Sequence, residues 1–198
     1  MHGGELALHV LRSAGVAELF TLNGGHVWPF YDAAVKAGVP IYDTRHEQTA
    51  TFAAEGMAKL TRRPGVAVLT AGPGVTNGIS AMTTAHFNGS PLVVIGGRAP
   101  QRRWGSGSLQ ELDHLPIVSS LMKSAVTAMD VGDLGKLAGE AAATSMTPHT
   151  ADGTGMALAV WMVLLLPASY TTGASTTTTG TSVKRIGSRR ASGPALAG

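Results

Sequence analysis

The sequence contains no cysteine, and this absence excludes two common ways of stabilising a small domain. Neither a disulfide nor a thiolate-ligated metal site can form without thiols. Its seven histidines show no ligand spacing, and Ala50 stands where a zinc-protease helix beginning at His46-Glu47 would need a second histidine. We therefore predict that no metal ion is ligated by this chain. The lack of disulfides agrees with the cytoplasmic location that we expect.

Long hydrophobic runs are also missing. The longest apolar run, residues 156–166, has 11 residues and ends at Pro167. A membrane-spanning helix needs about 20 apolar residues. Residues 1–5 do not combine a basic stretch with an apolar one, as a secretory signal would. We expect a soluble chain that makes no contact with a membrane.

Charge is sparse, and the excess of positive charge is local. Charged residues form 14% of the chain, and the formal net charge is +3. Four of the basic residues lie within residues 184–190, and without them the chain has one more acidic than basic residue. This segment could bind nucleic acid or another anion, but no aromatic residues are interleaved with its charges. We expect no nucleic-acid partner, and keep anion binding only as a minor alternative.

Helical and strand-like patterns alternate between residues 5 and 128. Apolar runs of strand length occupy residues 17–22, 39–43, 66–70 and 92–95, and helical patterns occupy residues 5–13, 28–36, 46–60 and 75–87. Strands that are apolar on both faces and separated by helices indicate a parallel sheet covered on both sides. We predict an α/β fold of three layers, with ligands bound beyond the carboxyl ends of the strands.

The composition changes near residue 140, so we predict a domain of residues 1–140 and a low-complexity tail of residues 141–198. Asp152 is the only formally charged residue between positions 141 and 183, and residues 171–182 include seven threonines. Such composition favours disorder or a poorly packed extension, and a shifted reading frame would also produce it. Residues 156–166 could still form one buried strand or helix.

Two features at the predicted carboxyl edge can be interpreted chemically. Glu47 begins a helix directly after a strand, where a partly desolvated carboxylate suits proton exchange; it could equally be an ordinary acidic residue in a first helical turn. Residues 72–78 form a glycine-rich turn that could approach a flat ring or an anion, or serve only as a tight connection. Their spacing matches neither a dinucleotide fingerprint nor a P-loop. No G-x-S-x-G motif is present, which argues against an α/β-hydrolase.

Taken together, several segments resemble one enzyme family. They are Leu22-Asn23-Gly24-Gly25-His26, Asp43-Thr44-Arg45-His46-Glu47-Gln48-Thr49, Phe52-Ala53-Ala54-Glu55-Gly56, Thr70-Ala71-Gly72-Pro73-Gly74-Val75-Thr76-Asn77-Gly78, Ser90-Pro91-Leu92-Val93-Val94 and Leu109-Gln110-Glu111. In order and spacing they are similar to the N-terminal, pyrimidine-binding domain of thiamine-diphosphate enzymes that act on 2-oxo acids. The resemblance covers residues 5–128 and points to the acetolactate-synthase-like branch, which includes 2-hydroxyacyl-CoA lyases.

The resemblance implies a role for Glu47. In the family, the glutamate at this position hydrogen-bonds N1′ of the aminopyrimidine and favours the tautomer that removes the C2 proton of the thiazolium. The resulting ylide attacks a 2-oxo acid, and decarboxylation and carboligation follow. By the same resemblance Glu47 is the catalytic residue.

The resemblance also implies which residues surround the cofactor. Gly72, Pro73, Gly74 and Asn77 would lie against the pyrimidine, whereas Gly24 and Gly25 would lie near the thiazolium. We expect His26 and Gln110 to face the substrate. Alternatively, His26 is a capping residue of the next helix and Gln110 an ordinary surface residue.

The chain departs from the family after residue 140. Family members continue with a middle domain, which binds FAD in acetolactate synthases, and with a domain whose Gly-Asp-Gly motif and downstream Asn bind Mg²⁺ and the diphosphate. Here only Ala151-Asp152-Gly153 approaches that motif.

We therefore expect that Mg²⁺ is supplied by another domain or partner chain, that FAD does not bind here, and that the chain alone is inactive. Family active sites form between two subunits, so we expect either a homodimer or a partner that bears the diphosphate domain. A truncated or frameshifted product and a genuine separate subunit both remain open.

Overall fold

A parallel sheet forms the centre of the domain. The computed structural model describes residues 1–147 and, as backbone, residues 161–165 and 184–186. The strands in this part of the chain are β1 (Leu19–Thr21), β2 (Ile41–Asp43), β3 (Gly65–Leu69), β4 (Leu92–Gly97), β5 (Ser124–Thr127), β6 (Trp161–Leu165) and β7 (Lys184–Ile186). They are ordered β2-β1-β3-β4-β6-β5-β7, and each neighbouring pair is parallel except β5 with β7. β2, with three residues, lies at one edge.

Helices cover both faces of this sheet. They are α1 (Gly3–Ser13), α2 (Trp28–Ala37), α3 (Glu47–Thr61), α4 (Pro73–Asn77), α5 (Ile79–Asn88), α6 (Leu115–Val118) and α7 (Asp133–Met146). One apolar cluster joins the sheet to α1, α2 and α7, and a second joins it to α3, α5 and α6. The predicted three-layer α/β fold is confirmed. Within the described residues, no helix combines the length and apolar character needed to cross a membrane.

β3 shows why the central strands read as continuous apolar runs. Val66 and Val68 belong to the cluster on one face, whereas Ala67 and Leu69 belong to the cluster on the other. All five residues of the strand are buried. A strand with a core on each side has no face on which polar residues are tolerated, so the two-residue alternation of a half-exposed strand is absent.

One predicted helix is divided in the structure. The single helix predicted at residues 75–87 is two helices, α4 and α5, which meet at Gly78. Gly78 packs so closely on the layer below that an added Cβ would lie 2.8 Å from Leu69 Cδ1. The boundary predicted at residue 140 falls within α7, and the apolar run at residues 156–166 contains β6. β7 also lies in the predicted tail, whose residues 148–160, 166–183 and 187–198 lie outside the described residues.

A buried carboxylate fastens α3 to the start of β4. Glu55 is 5% exposed and accepts hydrogen bonds from Asn88 Nδ2 at 2.9 Å and Ser90 Oγ at 2.8 Å. Lys59 Nζ pairs with the same carboxylate at 2.8 Å. Burial raises the pKa of Glu55, but the hydrogen bonds from Lys59, Asn88 and Ser90 together hold it below its usual value. The charge of Glu55 is therefore a structural one, since Lys59, Asn88 and Ser90 all contact its Oε1.

Substitution of two glycines by alanine should have opposite effects on stability. An added Cβ at Gly65 would lie 1.9 Å from the Ala54 carbonyl oxygen, a backbone contact that cannot rotate away. We expect Gly65→Ala to lower the free energy of unfolding by about 1–3 kcal/mol, as overpacking does. Gly56 lies inside α3 with nothing within 4 Å of an added Cβ, so Gly56→Ala should raise stability by about 1 kcal/mol. Urea unfolding monitored by circular dichroism measures both, and equal effects would contradict the packing of α3 on β3.

Candidate active site

Glu47 is positioned by the turn between β2 and α3. The His46 side chain caps the helix by accepting a hydrogen bond from the Gln48 backbone N–H at 3.1 Å. Thr44 fixes the turn from the other side, since its hydroxyl lies 3.0 Å from the Thr21 carbonyl oxygen and 2.9 Å from that of His46. A capped helix start favours a carboxylate in the first turn. The sequence therefore places Glu47 at the carboxyl edge of the sheet, as predicted.

The carboxylate of Glu47 is buried, and only one of its oxygens is engaged. The residue is 6% exposed. Asn77, at the end of α4, donates from Nδ2 to Glu47 Oε2 at 2.9 Å. Within residues 1–147 no hydrogen-bond donor is bonded to Oε1, and the nearest approach from the glycine-rich turn is at Gly74, where an added Cβ would lie 3.4 Å from it. Asn77 thus orients a carboxylate whose second oxygen is left to accept a proton or a hydrogen bond.

The glycine-rich turn needs glycine at position 72 for two reasons. Gly72 has φ of +58°, in the left-handed region, and its added Cβ would lie 2.8 Å from the Gln110 carbonyl oxygen. Its backbone N–H donates to His114 Nε2 at 2.9 Å. Pro73 then begins α4, where a proline is well tolerated. The turn is held by a side chain 42 residues further along the chain.

His114 is the most strongly perturbed titratable group of the site. It is completely buried, and burial lowers its pKa from 6.5 to about 4. A neutral ring that accepts at Nε2 carries its proton on Nδ1. Among the described residues Nδ1 has no hydrogen-bond partner. The imidazole is therefore a neutral acceptor for the Gly72 amide, and protonation at Nε2 would remove that bond.

A second group of predicted residues meets at Thr70, the residue after β3. An added Cβ at Gly24 would lie 2.3 Å from Thr70 Cβ. His26 Nδ1 lies 3.1 Å from Thr70 Oγ1, and Gln110 Oε1 lies 3.5 Å from the same oxygen. Burial lowers the pKa of His26, and a hydrogen bond to the Leu109 backbone offsets part of this effect. Gly24, His26 and Gln110 thus all lie next to the Thr70 side chain.

The loop that carries Gln110 is fixed internally. Glu111 accepts hydrogen bonds from the backbone N–H groups of Gly105 at 2.7 Å and Ser108 at 3.0 Å. Gln110 itself has φ of +55°, a left-handed conformation that it shares, among non-glycine residues of the described chain, with Arg62. At Arg62 this conformation ends helix α3, a common helix terminus, whereas Gln110 lies in a loop beside Gly72.

The structure brings most of the predicted site residues together, in two adjoining groups. Glu47, Asn77 and Gly74 form one, and Gly24, His26, Gln110 and Gly72 form the other. Pro73 is exposed, and Gly25 has nothing within 4 Å of an added Cβ.

Two residues of the site were not singled out from the sequence. Thr70 and His114 both contact the predicted residues, Thr70 beside His26 and His114 beneath Gly72. Thr70 had a usable signal, as the last residue of a predicted apolar strand directly before the glycine-rich turn. His114 had none, because its partner is remote in sequence.

A groove of about 480 Å³ lies on the far side of the loop after β1, between α2 and β2. Its walls include Trp28, Tyr31 and Asp43, but neither Glu47 nor Thr70. Tyr31 is hydrogen-bonded to Thr21 Oγ1 at 2.8 Å, and burial raises the pKa of its phenol. The buried Glu47 carboxylate and the glycine-rich turn therefore lie outside this groove.

One group of metal-ligand type occurs in the described residues. Ligand atoms of His2, Glu5 and Asp32 lie within 4.8 Å of one another. Lys36 Nζ already pairs with Glu5 at 3.1 Å and with Asp32 at 2.7 Å. Lys36 therefore already balances the charge of these two carboxylates.

One family model and several curated proteins match this chain in sequence. The family model described as "Thiamine pyrophosphate enzyme, N-terminal TPP binding domain" matches residues 1–117. Acetolactate synthase large subunit IlvG of Mycobacterium tuberculosis is 55% identical over 141 residues, which cover 71% of this chain and 26% of that protein. 2-Hydroxyacyl-CoA lyase 2 of Caenorhabditis elegans is 49% identical over 122 residues, 62% of this chain and 19% of that protein. The human protein of the same name is 44% identical over 149 residues, 74% and 24% respectively. The chain spans about a quarter or less of the length of these curated relatives.

The free energy of unfolding should fall as pH is lowered, because His114 takes up a proton more readily in the unfolded chain than in the folded one. With the pKa at 6.5 unfolded and about 4 folded, only the unfolded state binds the proton between these values. The stabilisation is complete above pH 6.5 and is lost as pH falls towards 4, by about 3 kcal/mol in all.

Urea unfolding of the parent protein and of His114→Gln, compared at pH 7, 5.5 and 4, measures this loss. The stability difference between the two proteins should shrink towards pH 4, because glutamine has no proton to gain. A difference independent of pH would contradict a buried neutral imidazole.

Replacement of Gln110 should reverse the usual ranking of alanine and glycine. Both substitutions remove the side chain, but only glycine adopts φ of +55° without strain. We expect Gln110→Gly to be more stable than Gln110→Ala by about 1 kcal/mol. At Val35, an exposed residue of α2, the alanine variant should instead be more stable than the glycine variant by about 1 kcal/mol. Thermal unfolding of the four variants tests the pair, and the same ranking at both positions would contradict a strained Gln110.

Proposed function

This chain belongs to the thiamine pyrophosphate enzymes, whose N-terminal TPP-binding domain it contains, and we propose that its Glu47 site binds the aminopyrimidine ring of thiamine diphosphate. The observation that supports this most directly is the buried Glu47 carboxylate, held by Asn77 through one oxygen and left with the other oxygen unengaged by the described residues. The proposal includes an activity of the acetolactate-synthase type for the complete enzyme.

The residues around Glu47 fit a flat heteroaromatic ring with a hydrogen-bond donor on its edge. Gly74 presents backbone without a side chain next to the carboxylate, since an added Cβ there would be in van der Waals contact with Glu47 Oε1 at 3.4 Å. Oε1 is the atom that would accept from the protonated ring nitrogen of the pyrimidine. A hydrogen bond to a buried carboxylate is stronger than one in water, because little solvent competes for it.

Each residue of this group has a separate task. Glu47 holds or returns a proton at Oε1, and Asn77 fixes the direction in which that oxygen points. His114 fixes the Gly72 backbone from below, so the turn does not adjust when a ligand arrives. Thiamine diphosphate, when bound, supplies an electron sink for cleaving and forming carbon–carbon bonds next to a carbonyl. The protein contributes binding, orientation and a proton acceptor in a site with little water.

The second group of residues borders the substrate side. We place Gln110, Gly24 and Gly25 towards a 2-oxo acid, with His26 behind them at the same edge. Acetolactate synthase is favoured over a 2-hydroxyacyl-CoA lyase because identity to IlvG, 55%, exceeds that to the two lyases compared, 49% and 44%. The lyase activity is the second candidate.

Mg²⁺ and the diphosphate belong to another part of the enzyme in this proposal. The metal-ligand group of His2, Glu5 and Asp32 is occupied by Lys36, and no such group lies at Glu47 within the described residues. We propose that a second domain, on the same chain or on a partner subunit, holds the diphosphate through Mg²⁺. FAD, where an intact enzyme binds it, would likewise contact other residues than these.

The Glu47 site can be tested on the chain by itself with thiamine diphosphate as the probe. Binding should be weak, because most of the cofactor's charge is on its diphosphate, but it should perturb the backbone amide resonances of Gly72 and Gly74 and the side-chain amide of Asn77. We expect Glu47→Gln to weaken this binding by about tenfold or more, since a hydrogen bond to a charged group contributes about 1.5–3 kcal/mol. Nuclear magnetic resonance titration measures both effects.

Glu18→Gln is the matched control. Glu18 precedes β1, at the opposite edge of the sheet. Its replacement by glutamine removes the same charge as Glu47→Gln without touching the site. Its titration should match that of the parent protein. Equal weakening in both variants would indicate nonspecific electrostatic binding, and perturbations confined to other residues would contradict the proposed site.

A further inference from the structure

Arg98 is a buried cation at the carboxyl end of a central strand. It directly follows β4 and is 6% exposed. Arginine is rarely buried without a partner of opposite charge, because removing a charge from water costs free energy that pairing has to offset. Among residues 1–147 its guanidinium contacts Gln101 and Trp104 but forms no ion pair with a carboxylate. The anion that would balance this charge is therefore missing from the described residues.

Two neighbours fix the orientation of the guanidinium. Its Cζ lies 3.5 Å from the centroid of the Trp104 ring, so an aromatic face covers one side of the guanidinium plane. Nη1 donates to Gln101 Oε1 at 2.7 Å. An arginine has five N–H donors, so those of Nε and Nη2 are left without an acceptor in the described part of the chain.

These unbonded donors are open to a ligand. Within the described residues, the one side-chain nitrogen or oxygen that is both completely enclosed and without a partner is Nδ1 of His114. Nε and Nη2 of Arg98 are therefore in contact with solvent, although the residue as a whole is buried. A guanidinium held in place with one edge free can bind a carboxylate through two parallel hydrogen bonds.

The acidic residues nearest to Arg98 along the chain are engaged elsewhere. Glu111 accepts from the backbone N–H groups of Gly105 and Ser108, and Asp113 Oδ1 accepts from that of Leu115 at 3.3 Å. Burial lowers the pKa of Arg98, and the charges of Asp113 and Glu111 offset part of this effect. The two carboxylates thus act on Arg98 from a distance and leave its free edge to another anion.

Arg98 adjoins the residues that border the substrate side of the site. An added Cβ at Gly97, the preceding residue, would lie 2.6 Å from His26 Cβ and 3.3 Å from the Thr70 carbonyl carbon. The segment between β4 and α6, which begins at Arg98, also carries Gln110, and Gln110 Oε1 lies 3.5 Å from Thr70 Oγ1. The free guanidinium edge and the Gln110 side chain are therefore parts of one segment at the carboxyl edge of the sheet.

We propose that Arg98 binds the carboxylate of a 2-oxo acid through Nε and Nη2, while Trp104 and Gln101 hold the guanidinium in place. This assignment rests on the proposed function, which supplies the substrate, and deepens it by giving the substrate's negative charge a partner. Taking a carboxylate out of water costs free energy, and a cation already fixed in a buried position offsets that cost. Arg98 selects and orients the acid and takes no part in proton transfer.

Titration of the unmodified chain with pyruvate, without cofactor, tests the assignment. In nuclear magnetic resonance spectra the Arg98 Nε–H and the Trp104 indole N–H should shift and saturate. Pyruvamide keeps the 2-oxo group but has no charge, so it should leave both resonances unchanged. Absence of a shift with pyruvate, or equal shifts with pyruvamide or inorganic phosphate, would overturn the proposal.

Two matched variants locate the binding. Arg98→Lys keeps the positive charge but loses the planar fork, and we expect it to weaken pyruvate binding by about tenfold or more, as loss of a charge-assisted hydrogen bond would. Arg102→Lys makes the same change at an exposed residue of the same segment and should bind pyruvate like the parent protein. Equal affinities in the two variants would contradict a role for Arg98; if Arg98→Lys does not fold, the three titrations of the unmodified chain decide.

Glu47→Gln separates this proposal from the proposed function. No thiamine diphosphate is present in the pyruvate titration, so Glu47→Gln should bind pyruvate as the parent protein does. Conversely, Arg98→Lys should keep the perturbations of Gly72 and Gly74 that thiamine diphosphate causes. A failure of Arg98 to bind the acid is thus distinct from a failure of Glu47 to bind the cofactor.

Discussion

At two places the backbone approaches Thr70 so closely that only glycine fits at the contact. An added Cβ would lie 2.3 Å from Thr70 Cβ at Gly24 and 2.5 Å from Thr70 Cγ2 at Gly74, and Gly72 packs on the carbonyl of Gln110 with similar closeness. These contacts bring the loop after β1, the glycine-rich turn after β3 and the loop before α6 to one point. The site depends on this close approach, because Thr70 packs on Gly74, which borders the Glu47 carboxylate, and also lies beside the Gln110 side chain.

Glu47 and Glu55 lie on the same helix and show how burial can serve two purposes. Both carboxylates are nearly inaccessible, at 6% and 5% exposure. Asn88, Ser90 and Lys59 all contact Glu55 Oε1, and Lys59 balances the charge of this carboxylate. Glu47 has one hydrogen bond from Asn77 and no salt bridge within the described residues. Among the described residues, the missing counter-ion is what distinguishes Glu47 from Glu55.

The sequence was sufficient for the layers of the fold and for the first group of the site. Continuous apolar runs such as 66–70 predict strands buried on two faces, and the carboxyl-edge rule places Glu47 and the glycine-rich turn together. His114 was missed because its contact joins it to Gly72, 42 residues away, a relation that local pattern does not encode. Thr70 was missed although it ends a predicted strand directly before the glycine-rich turn. The strain at Gln110 was also out of reach, since nothing in a glutamine indicates positive φ. The division of the helix predicted at 75–87 depended on how Gly78 packs on β3, which is again a tertiary contact.

The short edge strand β2 has a consequence for how this domain meets other chains. It pairs with β1 through three residues, and within the described residues no strand lies on its other side. Tyr42 stacks on Phe20 with ring centroids 5.3 Å apart and covers part of the surface there. An edge of three residues offers too few free amide and carbonyl groups to template a further strand. The domain is thereby protected against aggregation by edge-to-edge pairing at this side, and association through it has to rely on side chains.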